Sequence, residues 1–147
     1  MYELHSELQK SPRLGPEDID NYKNTKQALF DGDTKKIETA IPALCALLYK
    51  HYGVMPYILL DEYDTPLLEA YTDGYWDEMI STCRQLFHGA FTENEFYSRA
   101  IITGVTRVSK NSLFSDMNNI EVHTVTSAAY QECCGFTEQE VSDALKC

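Results

Sequence analysis

Apolar residues recur along this chain at two different intervals, and the change of interval marks out its elements. Leu4 and Leu8 lie four apart in a weakly helical start that Ser11-Pro12-Arg13-Leu14-Gly15 breaks. Pro16, Glu17 and Asp18 then suit a helical first turn: proline lacks the N–H that would be unsatisfied there, and acids favour the positive dipole end. Ile19, Tyr22 and Leu29 mark one face of that helix, which Asp31-Gly32-Asp33 stops. From about Thr34, Ile37, Ile41, Leu44, Leu48 and Tyr52 return at threes and fours and predict a second helix. Pro42 should kink it or delay its start, and Gly53 is placed to end it.

The interval then shortens. Tyr57-Ile58-Leu59-Leu60 is a brief uninterrupted apolar run between Pro56 and three carboxylates, Asp61, Glu62 and Asp64. Such a run suits a strand buried on both faces of a parallel sheet. Thr65-Pro66 reads as a cap followed by proline at the first helical position, and Asp73-Gly74 as an interruption. Trp76, Met79/Ile80, Cys83, Leu86/Phe87 and Ala90 define an amphipathic helix. Tyr97 to Gly104, apolar at its end, predicts a second strand. A crossover this long and helical implies a right-handed parallel βαβ unit. Val105 to Asn119 reads as a polar loop anchored by Leu113-Phe114, and Ile120 to Ser127 as a third, weaker strand. Thr137-Glu138-Gln139-Glu140 is a capping box that opens a last helix.

At 147 residues, 44% hydrophobic and 12% aromatic, the chain has one domain's length and enough apolar surface for a core. The balance of 12 basic against 23 acidic residues gives a net charge of −11. That charge repels phosphate backbones and argues against direct nucleic-acid binding. No apolar run approaches the ~18 residues of a membrane span, and no signal peptide is visible, so the expected location is the cytoplasm. Cys45, Cys83, Cys133, Cys134 and Cys147 form no CxxC pair and no zinc spacing with histidine, and read as reduced thiols. Cys133-Cys134 fits a buried helix end. His5, His51, His88 and His123 share no useful spacing and read as ordinary surface or core residues. Ser98 has no visible His/Asp partners, so a triad hydrolase is unsupported.

The candidate chemistry lies after the first strand. Open α/β sheets bind ligands just outside the carboxyl ends of their strands, which puts Asp61 and Glu62 at the mouth of a site. Asp64 is better read as a turn or capping acid before Pro66. Thr103 closes the second strand, and Arg107 follows shortly; for Arg107, a surface residue paired with local acids is the plainer reading.

Several blocks agree in order and spacing: Ile58-Leu59-Leu60-Asp61-Glu62-Tyr63-Asp64-Thr65-Pro66, Ile101-Ile102-Thr103-Gly104-Val105-Thr106-Arg107-Val108-Ser109-Lys110, Ser112-Leu113-Phe114-Ser115, Asn118-Asn119, and Gly135 to Val141. This series resembles the bacterial AAA-ATPase-like family over nearly the whole chain. Members carry a P-loop ATPase domain, often followed by a nuclease-like domain of the PD-(D/E)XK type. The resemblance implies an α/β fold of the P-loop NTPase kind, three-layered, with a short parallel sheet flanked by helices. It implies that Asp61 is the Walker B aspartate associated with Mg²⁺, and that Glu62 activates the water attacking ATP. It further places Thr103 at the sensor position near the γ-phosphate, and Arg107 where it faces phosphate or a subunit interface.

One departure limits all of this. No G-x-x-x-x-G-K-[ST] occurs, and none of the seven glycines precedes Lys-Ser or Lys-Thr. In such enzymes that loop supplies most of the phosphate binding. The expectation is therefore a partial domain over residues 1–147 that lacks the P-loop strand and is inactive alone, with ATP and Mg²⁺ bound only in a longer protein. Two other classes stay open: a non-catalytic regulatory or interaction module on the same scaffold, and a hydrolase that uses the acidic cluster with a metal directly. A missing strand would also leave an open sheet edge, closed by Ile120–Val125 or by self-association. Strictly monomeric behaviour in size-exclusion chromatography with light scattering would remove the second option.

Overall fold

A computed structural model describes residues 1–105, 113–114, 117–124, 126–130, 133 and 135–146. The chain forms two units, Met1–Met117 and Asn118–Cys147. In the first, a 3-10 helix over Tyr2–Lys10, bent at His5, leads into helix α1 (Pro16–Phe30). The Gly15 N–H donates to the Asp18 carboxylate at 2.8 Å, which satisfies one of the donors a helix start leaves over. A 3-10 turn, Thr34–Lys36, precedes α2 (Ile37–Tyr52), which therefore begins shortly after the sequence-based start and holds Pro42 inside it. Gly53, with φ of 75°, ends α2 in the left-handed region, and its N–H donates to the Tyr49 carbonyl at 2.7 Å.

Strand β1 (Tyr57–Leu60) is followed by α3 (Thr65–Asp73), α4 (Trp76–Phe91) and β2 (Arg99–Ile102). The strands pair in parallel with Tyr57 opposite Arg99 and Leu60 opposite Ile102. Helices and a short parallel sheet make the chain an α/β protein. Among the described residues the sheet has these two strands and no third.

Two apolar groups hold the first unit together. Tyr2, Leu8, Leu14, Tyr22, Ala40, Leu44, Leu47 and Leu48 form one, with Ile19 and Leu29 against it. Its two tyrosines keep their hydroxyls bonded: Tyr2 donates to the Ala40 carbonyl at 2.8 Å and Tyr22 donates to the Tyr2 carbonyl. In the second group, Phe87 of α4 stacks on Phe114 with centroids 5.7 Å apart, and Tyr63 meets Phe114 edge-on at 5.4 Å. The Leu113-Phe114 anchor expected from the sequence is thus present, with Leu113 buried.

Several expectations are corrected. The sheet is not buried on both faces: Tyr57, Leu59 and Ile101 are 67%, 73% and 61% exposed, because no described element covers the face they share. Residues 120–124 and 126–127 form no strand. There the Ser127 N–H donates to the Thr124 carbonyl at 2.8 Å and the Thr124 N–H to the Ser127 hydroxyl at 2.9 Å, a local turn that competes with a ladder. Cys133 is exposed and outside any helix. The capping box does form: the Thr137 N–H donates to Glu140 Oε2 at 2.8 Å at the head of α5 (Glu138–Ala144).

The core also sets an alkaline limit. Burial raises the Tyr2 and Tyr22 phenols above the ordinary value of 10.0, and the Cys45 and Cys83 thiols above 9.0. These groups ionise more readily in the unfolded chain, so the folded state binds more protons as pH rises. Their stabilising contribution is complete below the ordinary thiol value and is lost as pH climbs through the raised values. The thermal midpoint should therefore hold near neutral pH and fall steadily above about pH 9. A midpoint that is level up to pH 10.5 in circular dichroism melts would contradict this burial.

Candidate functional site

Backbone pairing continues past both strands, to Thr103 after β2 and to Tyr63 after β1. The Thr103 N–H donates to the Leu60 carbonyl at 2.9 Å, and the Tyr63 N–H returns to the Thr103 carbonyl at 3.0 Å. Asp61 and Glu62 are held between those two bonds, directly outside the carboxyl end of β1. The Thr103 hydroxyl donates to Asp61 Oδ1, and the Glu62 N–H donates to the same oxygen at 3.1 Å. Both hydrogen bonds fall on Oδ1. Asp61, Glu62 and Thr103 are all exposed.

Glu62 carries a backbone φ of 53°, in the left-handed region. Residues other than glycine seldom occupy it, and the cost is of order 1–3 kcal/mol. The surrounding bonds fix it: Tyr63 N–H to Thr103 on one side, and Thr65 N–H to the Glu62 carbonyl at 3.1 Å on the other.

Asp64 differs from its expected role as a capping acid. It occupies the N-cap position of α3, yet its carboxylate makes no cap hydrogen bond to the helix. It is 2% exposed, and its oxygens accept the Val105 N–H at 3.1 and 3.4 Å. The helix itself starts at Thr65, so Pro66 is its second residue. Gly104 lies against this group: a β-carbon there would sit 2.5 Å from the Tyr63 ring and 2.7 Å from the Asp64 carboxylate. Asp64 thereby fastens the turn after β1 to the turn after β2, a link the sequence does not show because it spans 41 positions.

Of the sequence-derived candidates, Asp61 and Thr103 meet through their side chains, Glu62 joins them through its backbone N–H, and Arg107 lies outside the described residues. Sequence reasoning missed Asp64 as a support. It also missed Glu38, His88 and Glu93, whose donor atoms all lie within 4.8 Å of one another. No spacing rule brings together residues 50 positions apart. No helix among the described residues is long and apolar enough to cross a membrane.

Among curated proteins, the chain is 34% identical over 85 residues to an "Uncharacterized protein in vnfD 5'region" of Azotobacter chroococcum mcd 1, a match over 57% of this chain. The match covers only 16% of that relative. No solved structure matches. The model of the family described as "Predicted AAA-ATPase" matches residues 3–114, which takes in β1, the acidic turn, β2 and the Leu113-Phe114 anchor, so the chain belongs to the AAA-ATPase-like family.

Proposed function

We propose that this chain contributes the Walker B and sensor part of an ATP site in a longer protein, as an incomplete P-loop NTPase domain. The observation that carries the reading is the hydrogen bond from Thr103 to Asp61 across the carboxyl ends of two adjacent parallel strands. That is the position where α/β sheets present their ligands. Asp61 would hold Mg²⁺, which keeps several waters and typically needs only one or two carboxylates besides phosphate oxygens. Bound Mg²⁺ would neutralise charge developing on the transferred phosphoryl group. Glu62, displaced from the strand line by its left-handed backbone, would polarise the attacking water. Thr103 would orient Asp61 and report on the γ-phosphate, with Arg107 a further phosphate-facing residue.

The chain has no Gly-Lys-Ser/Thr loop, so the phosphate cradle has to come from elsewhere in the longer protein. Hence the 147 residues by themselves should not turn over ATP. In a protein that supplies the loop, Glu62→Gln should keep ATP binding and lower turnover by ~10²–10⁴-fold, the usual range for a lost general base. Asp61→Asn should lose Mg²⁺-dependent binding. Wild-type turnover in Glu62→Gln would sink the assignment. The same missing loop favours a second reading, a regulatory module without turnover; it would be preferred if the longer protein bound no ATP at all. A metal-dependent hydrolase would be preferred if the isolated chain itself cleaved a phosphate ester with Mg²⁺ or Mn²⁺.

A further inference from the structure

Glu38 lies in the first turn of α2, His88 in the last turn of α4, and Glu93 two residues beyond the end of α4. His88 Nδ1 is 3.6 Å from Glu38 Oε1, and the donor atoms of all three residues lie within 4.8 Å of one another. The arrangement is held by backbone rather than by chance side-chain approach. The N–H groups of Thr92 and Glu93 both donate to the His88 carbonyl, at 2.9 and 3.3 Å, which turns the chain so that Glu93 returns beside His88. Asn94 fixes the next step: its side chain donates to the Ala90 carbonyl at 3.2 Å and accepts the Phe96 N–H at 3.0 Å. Across from them, Gly89 lets α4 lie directly on the backbone of Glu38.

Two carboxylates gathered around one imidazole repel each other unless a positive charge lies among them. Among the described residues, no lysine or arginine pairs with either Glu38 or Glu93. The negative end of the α4 dipole adds to the demand for a cation at the same place. The donor set, one imidazole nitrogen with two carboxylate oxygens, suits borderline first-row ions better than Mg²⁺ or Ca²⁺, which prefer oxygen alone.

We propose that Glu38, His88 and Glu93 bind a divalent transition-metal ion of the zinc class, with solvent completing its shell, and that the ion clamps the start of α2 to the end of α4. Bonds of about 2.0–2.2 Å would set tetrahedral ligands roughly 3.4 Å apart. The Glu38–His88 pair is already near that spacing, and Glu93, exposed and beyond the helix, can close the remainder by rotation. The site is separate from Asp61 and Glu62 and does not depend on the ATP reading.

The test uses the 147-residue chain, stripped with a chelator and titrated with Co²⁺ under reducing conditions. One Co²⁺ per chain should bind with visible d–d absorption, be displaced by Zn²⁺, and raise the thermal midpoint by on the order of 5 °C at saturation. Glu93→Gln, at an exposed residue beyond the helix, should weaken binding at least tenfold without lowering the metal-free midpoint. His88→Ala should abolish binding. Asp61→Asn should leave it intact. Equal Co²⁺ affinity in wild type and Glu93→Gln would overturn the proposal. So would loss of binding in Asp61→Asn, or an intense sulfur-to-cobalt charge-transfer band showing that cysteines are the ligands.

Discussion

Replacing Gly89 with alanine is expected to destabilise the fold by about 3 kcal/mol, the upper part of the range for overpacking a rigid contact. Two effects oppose each other at this position. Gly89 lies inside α4, where alanine is ordinarily the better helix former by about 1 kcal/mol. Yet a β-carbon there would stand 1.9 Å from the Glu38 carbonyl oxygen and 2.8 Å from its carbon, both backbone atoms. No rotamer change relieves such a clash; α2 and α4 would have to move apart. Pro42 explains why that carbonyl is the point of contact. Within α2 the Glu38 carbonyl would normally accept the N–H of residue 42, and proline has none. One helix thus leaves a carbonyl without its usual partner, and the other presents the residue that can lie closest to it. The clash therefore outweighs the propensity gain, and the melting midpoint should drop by roughly 6–12 °C for a chain of this size. A midpoint that rises in Gly89→Ala would show that the helices do not approach this closely.

That contact also marks the boundary of what was legible beforehand. The periodic apolar residues of α2 and α4 give both helices, and the short apolar runs give β1 and β2, because each signal is contained within the element that produces it. Parallel pairing follows as well, since only a parallel partner needs a crossover as long as α3 and α4. What Pro42 does to Glu38, and what Gly89 does for both, depends on two segments that meet only in the folded chain. The Glu38–His88–Glu93 cluster stayed hidden for the same reason. The exposed face of the sheet misled in the opposite direction. Tyr57, Leu59 and Ile101 have the composition of a strand covered on both sides, and composition records what a segment would prefer to touch. It does not record whether the covering element lies within the same 147 residues.

The acidic turn shows a similar division. Asp61 and Glu62 were readable as candidate residues because a strand end followed by carboxylates is a local pattern. The left-handed φ of Glu62 was not readable, since glutamate gives no hint of it. Hydrogen bonds on either side hold it, and one of them, from the Tyr63 N–H, depends on Thr103 being adjacent.

Asp64→Ala should cost about 2–3 kcal/mol, and its damage should concentrate at the candidate site. The residue is 2% exposed, and its carboxylate takes the Val105 N–H at 3.1 and 3.4 Å. A hydrogen bond to a charged group is worth about 1.5–3 kcal/mol, and deleting the acceptor also leaves a gap beside Tyr63 and Gly104. Asp64→Asn preserves the shape and one carbonyl oxygen, so it should cost roughly half as much; the difference reports the charge rather than the space. The decisive readout is local. The Val105 amide should exchange faster with solvent in Asp64→Ala than in the wild type, by more than the drop in global stability accounts for. If amide exchange at Val105 changes only in step with global stability, the tie between the two turns is incidental. If it changes more, Asp64 is a positioning residue: it holds the turn after β2 in the place from which Thr103 reaches Asp61, and Asp64→Asn should restore part of that protection.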